Sequence, residues 1–116
     1  MPEMRNRKRI AVIGGGKPEH RYYEMACEVG RLLAEAGAIV FCGGLGGVME
    51  AACRGAREAG GFTVGILPGN DPAAANPFVE LPVATGIGYS RNSLVVMNAD
   101  AVIAVSKGVK TGLVND

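Results

Sequence analysis

The sequence predicts an α/β fold of the Rossmann-like kind: a three-layer parallel sheet with helices on both faces, incomplete at the C-terminus. Three observations predict it. Short, continuously apolar runs alternate with helical periods, glycine clusters close those runs, and aromatic residues make up only 5% of a chain that carries 18 glycines. Aliphatic strands buried on both faces read as unbroken apolar runs, and glycine turns let backbone approach a ligand closely. A chain of 116 residues makes one domain, with enough core to fold but little room for a complete doubly wound sheet. We divide it into a basic N-terminal arm, residues 1–8, and a single phosphate- or nucleotide-binding domain, residues 9–116.

The elements follow in order. Residues 9–14 form a buried strand that runs into glycines. Residues 22–36 have helical spacing, with Met25, Val29, Leu32, Leu33 and Ala36 on the inward side and Glu24, Glu28, Arg31 and Glu35 on the wet side. Gly37 supplies a left-handed stop. A second strand, 38–42, enters a second glycine turn. The helix after it, 48–59, turns Met49, Ala52, Cys53 and Ala56 inward and spaces Glu50, Arg54 and Glu58 for i,i+4 pairing. Strand 62–67 stops at Pro68-Gly69, residues 70–77 are a loop by composition, and 78–82 reads as a short strand. A brief helix at 89–98 leads to a last buried strand, 101–105. Strands alternating with helices imply a parallel sheet. Such sheets take ligands at the carboxyl ends of their strands, where every glycine cluster named here falls.

Charge and composition narrow the function. The net charge is only +1, and the cationic cluster Arg5, Arg7, Lys8 and Arg9 precedes the first strand. Near-neutral balance elsewhere argues against an extended nucleic-acid footprint, so the cluster reads as a solvated arm. Cys27, Cys42 and Cys53 have no CxxC spacing, and an odd count suggests reduced thiols in a cytoplasmic protein, serving as small core residues. They suggest no metal site. His20 is the sole histidine, which removes most histidine-based catalytic schemes. No apolar run is long enough to span a membrane.

Two glycine turns carry the chemistry. Gly14, Gly15 and Gly16, followed by Lys17, would expose backbone N–H groups that cradle an anion; a plain strand-to-helix connection with a surface lysine explains them equally well. The second turn is sharper. Gly43, Gly44, Leu45, Gly46 and Gly47 put four glycines in five positions directly before a helix. Glycine in an ordered element costs up to roughly 1 kcal/mol, so such density points to a phosphate wrapped by backbone at a helix N-terminus. No Lys-Ser or Lys-Thr follows, so it is not a P-loop. The spacing is not the dinucleotide fingerprint either, and no acidic residue ends the second strand. Arg91 and Asn92, opening the short third helix, are placed for a guanidinium to clamp a phosphate. Asp100 is most simply a turn residue.

Residues 43–52, the run Gly65-Ile66-Leu67-Pro68-Gly69, and Gly88-Tyr89-Ser90-Arg91-Asn92 through the 99–105 strand together resemble the LOG-like family, once labelled lysine decarboxylases. The branch is the one similar to molybdenum cofactor carrier proteins. The resemblance covers nearly all of residues 9–105. It implies a Rossmann-like fold, a phosphate bound by Gly43, Gly44, Gly46, Gly47 and Arg91, and a homodimer. Asn92 stands where LOG enzymes have lysine, as in the carrier-like branch. LOG enzymes cleave the N-glycosidic bond of cytokinin riboside 5′-monophosphates, using a Pro-Gly-Gly-x-Gly-Thr-x-x-Glu stretch. After Val105 only Gly108 and Thr111 fit that pattern and no glutamate follows, which reads as a truncation or a change of frame.

The expected function is therefore a binding or carrier protein for a phosphorylated, nucleotide-like ligand, a nucleoside monophosphate or a molybdenum cofactor of the molybdopterin type. A phosphoribohydrolase and a non-binding assembly remnant are the alternatives. No catalytic residue is assigned.

Overall fold

Arg9–Gly14 (β1), Ile39–Cys42 (β2), Phe62–Leu67 (β3), Leu81–Ala84 (β4) and Ala101–Val105 (β5) form one parallel sheet in the order β4-β3-β2-β1-β5. The structure, a computed structural model, describes residues 3–106. The first two residues of the basic arm, and Gly108 and Thr111 with the rest of 107–116, lie outside the described residues. Three helices connect the strands: His20–Glu35 (α1), Val48–Glu58 (α2) and Arg91–Met97 (α3).

The alternation of side chains along each strand separates two cores. On one face Val12, Val40 and Val105 meet Ala26 of α1 and Val48, Ala51, Ala52 and Ala56 of α2. On the other, Ala11, Ile39, Phe41, Val64 and Ile66 meet Val95 and Leu94 of α3. The predicted three-layer arrangement is the observed one. Registers such as Ile10↔Val40, Val40↔Thr63 and Ile10↔Ala101 bring the carboxyl ends of the central strands to one edge. Asp100 does more than turn the chain: its Oδ2 accepts from Arg9 N at 2.8 Å while its own N–H donates to Arg9 O at 2.7 Å, which fixes β5 against β1. Part of the arm is tied down as well, since Arg7 Nε donates to Gly37 O at 2.8 Å.

Three sequence expectations need correction. Met25 and Leu32, expected inward, are each 50% exposed. The buried residues of α1 are Ala26 and Gly30, with Tyr22, Tyr23, Cys27, Val29, Leu33 and Ala34 packed around the core. Glycine sets this rotation. A Cβ on Gly30 would lie 1.9 Å from Ala52 O, and one on Gly55 would lie 1.9 Å from Cys27 O, so the two helix backbones touch where those side chains are missing.

The strand expected at 78–82 forms instead at Leu81–Ala84. Buried Thr63 is the reason. Its Oγ1 donates to Phe78 O at 2.6 Å and shares Glu80 N with its own carbonyl, at 2.8 and 3.1 Å, so the chain before Leu81 is held by this side chain rather than by a regular ladder. Pro82 is accommodated because β4 is an edge strand. The third correction concerns Glu50. Arg54 pairs with Glu58 at 3.1 Å and bonds Tyr23, and Glu50 is not among its partners.

Among the described residues no helix is long and apolar enough to cross a membrane.

Candidate functional site

The order of strands reverses at β1, and the two glycine turns meet at the carboxyl edge beside it. Gly47, at φ +70°, adopts a backbone conformation that L side chains rarely take, and a Cβ there would lie 2.3 Å from Gly15 O. The next amide, Val48 N, donates to Gly15 O at 3.0 Å. The 14–17 and 43–47 turns are thus interlocked.

Asn76 holds the second turn from outside. Its backbone N donates to Gly44 O at 2.9 Å and its Nδ2 to Leu45 O at 2.8 Å, while its Oδ1 accepts from Phe78 N. With the carbonyls held from that side, the amides of Leu45, Gly46 and Gly47 find no hydrogen-bond partner among the described residues. These amides lead into the N-terminus of α2, where unpaired N–H groups in general favour an anion.

Arg91 is buried, only 3% exposed, at the start of α3. Its Nη2 donates to Gly43 O at 3.2 Å and its Nη1 to Asn92 Oδ1, but its Nε has no partner among the described residues. A buried donor left unpaired costs about 1–3 kcal/mol. Gly43 is glycine for this neighbour's sake, because a Cβ would stand 2.6 Å from Arg91 Nη2.

These groups surround a cavity of about 500 Å³. Of the sequence-predicted site residues, Gly14, Gly16, Gly43, Leu45, Gly46, Arg91 and Asn92 line it. Gly44 and Gly47 shape the turn from behind. Gly15 and Lys17 lie instead on a neighbouring cavity of about 320 Å³, beside Tyr22 and Val105. Sequence reasoning did not assign Ile13, Met49, Tyr89, Val95 and Val96, which give the larger cavity an apolar wall. Arg91 is the one charged residue among its described lining residues.

Beneath the turn, Cys42 and Cys53 touch at 3.5 Å, and Gly44 N donates to Cys42 Sγ at 3.3 Å. The bond from Cys53, then the Gly44 N–H and the Arg91 charge, draw the Cys42 thiol below its ordinary value against the opposing effect of burial. Its partner Cys53 is pushed well up by that same bond and by burial. Among the described residues no group of three or more His, Cys, Asp or Glu is placed to hold a metal ion.

Comparison with known proteins gives consistent results. The SLOG cluster4 family matches residues 7–113. An uncharacterized protein of Archaeoglobus fulgidus is 43% identical over 102 residues, which is 88% of this chain and 67% of that protein. The molybdenum cofactor binding protein of the phototrophic bacterium Rippkaea orientalis superposes with a TM-score of 0.86 at 35% identity, over 94% of this chain and 68% of its own. The Moco carrier protein of Chlamydomonas reinhardtii gives a TM-score of 0.80 at 35% identity, over 93% and 67%.

Proposed function

This chain belongs to the SLOG cluster4 family, and on that premise we propose that it binds or carries a phosphorylated, nucleotide-like ligand: a nucleoside monophosphate or a molybdenum cofactor of the molybdopterin type. One observation carries the reading. A buried guanidinium whose Nε has no partner among the described residues stands beside a glycine turn whose amides likewise find none there, and both border one cavity. A phosphate satisfies all of these donors together, through charge-assisted bonds to Arg91 and neutral ones to Gly46 and its neighbours. The likeness to a molybdenum cofactor binding protein and a Moco carrier supports this choice of ligand.

The residues fit the phosphate end of such a ligand, and the apolar wall leaves room for its ring system. Glycosidic cleavage would require a carboxylate or another group to activate water at the sugar. Among the described residues that line the cavity none bears a carboxylate, which supports binding without turnover. The chain spans about two thirds of the length of the relatives it matches, so the activity of those whole proteins comes to it only as part of this proposal. Apolar side chains left exposed on the α3 side of the sheet, together with the family resemblance, support a homodimer.

Arg91→Met tests the site, because it keeps the buried stem and removes the charge. Isothermal titration with AMP should show binding weakened by about a hundredfold or more, in line with truncation of a buried charged contact. Undiminished affinity in a folded Arg91→Met protein would place the phosphate elsewhere.

A further inference from the structure

We infer that Tyr89 is the residue that selects a planar heteroaromatic ring on the ligand, by stacking against it at the mouth of the cavity. The inference rests on the phosphate-binding reading above and adds a second recognition element to it. Of the three tyrosines, Tyr22 and Tyr23 pack against the α1–α2 core, whereas Tyr89 lines the ligand cavity with 76% of its surface exposed. An aromatic ring of this size left largely in water is a large exposed apolar surface.

The backbone beneath Tyr89 is held in place. Gly86 N donates to Gly69 O at 2.9 Å and Gly88 N to Pro68 O at 3.0 Å, so the segment leading to Tyr89 is fastened to the end of β3. Gly86 and Gly88 both take positive φ, at +69° and +67°, which lets this connection turn tightly before the helix. The ring is therefore presented from a fixed point with most of its surface exposed.

Its position suits stacking. The Arg91 guanidinium carbon lies 5.8 Å from the ring centroid, which places the aromatic face beside the cation proposed to hold the phosphate. Ile13, Met49 and Val96 line the same cavity, and none of their side chains offers a hydrogen-bond donor or acceptor comparable to an amide. A ligand with phosphate at Arg91 and the 43–47 turn would bring the ring beyond its sugar or linker to Tyr89 and this apolar lining. A flat, π-rich ring fills such a slot, and a sugar alone does not. The ligand class is accordingly a phosphate ester that bears a planar heteroaromatic ring, rather than a sugar phosphate or free phosphate.

The test compares AMP with ribose 5-phosphate, the same phosphate and sugar without the base, by isothermal titration on the full chain. The unaltered protein should bind AMP the more tightly. Tyr89→Ala, harmless to folding at so exposed a position, should weaken AMP by about tenfold or more, the range of base–aromatic stacking, and leave ribose 5-phosphate unchanged. Tyr89→Phe should retain the AMP affinity. Equal AMP affinity in Tyr89→Ala would overturn the inference, as would equal weakening of both ligands, which would mean that Tyr89 acts only by supporting Arg91. Equal binding of both ligands by the unaltered protein would remove the ring selectivity and leave the phosphate site standing. Binding of neither would remove both.

Discussion

A methyl group on Gly43 would stand 2.6 Å from Arg91 Nη2 and 2.8 Å from Met49 Sδ. Both are side-chain atoms that can move aside, so the cost of Gly43→Ala falls on the site rather than the fold. We expect AMP affinity to drop by about tenfold or more while stability falls by only about 1 kcal/mol, the low end for an added methylene. Gly69→Ala is the control: no heavy atom lies within 4 Å of its added Cβ, and both titration and thermal melting should be unchanged. A Gly43→Ala protein with full affinity would show that Arg91 need not stay where Gly43 admits it. The residues of the glycine turns were legible in the sequence because four glycines in five positions are a local signal. Asn76 and Tyr89 were not, since each acquires its role only when a distant segment folds against the turn.

At the scale of elements, the α1–α2 contact is the least forgiving in the molecule. Gly30 and Gly55 each face a backbone carbonyl that a methyl group would meet at 1.9 Å, and backbone cannot swing away as a side chain does. Gly30→Ala should cost about 3 kcal/mol or more and lower the melting temperature by roughly 10 °C or more, measured by circular dichroism. A melt within about 2 °C of the unaltered protein would mean that the helices slide apart freely. The same pair explains why the sequence pattern misplaced the inward face of α1. Periodicity weighs large apolar residues such as Met25 and Leu32, but here the missing side chains decide which side faces the neighbour. Helix and strand order, by contrast, came through intact, as did the bounds of β1, β3 and β5. For β4 the apolar pattern gave the right element with its bounds too early in the chain, because no local pattern reports the two bonds that Thr63 makes across the chain.

Across the whole molecule the two faces of the sheet are unequally covered. Two helices, α1 and α2, cover one face, and among the described residues only the seven-residue α3 covers the other. The register shows which side chains are left over. Leu81 pairs with Val64 and Val83 with Ile66 on the α3 side, Val102 pairs with Ala11 there, and Ile13 follows two residues on. All four of Leu81, Val83, Val102 and Ile13 are exposed. They fall in two groups on either side of α3, Leu81 and Val83 at the β4 edge and Ile13 and Val102 toward the β5 edge, and exposed apolar surface of this kind suits a contact site. Sedimentation velocity at micromolar concentration should give a species of twice the 11.9 kDa chain mass. A monomer that binds a hydrophobic dye at this face would count against the dimer.

The strand order also sets a schedule. β1, β2, β3 and β4 lie side by side in the order in which they are made, and each can join its predecessor as it appears. β5 must travel back to β1, where Arg9 and Asp100, 91 positions apart, exchange their bonds. Closing so long a loop costs entropy before its contacts repay it, so β5 joins late. Until then one side of β1 is an open edge. Arg91 sits only ten residues before β5, so the ligand cavity and the closing strand are completed within the same short stretch of synthesis. If the cavity holds the proposed ligand, a ligand present while β5 docks beside β1 would favour that strand's arrival.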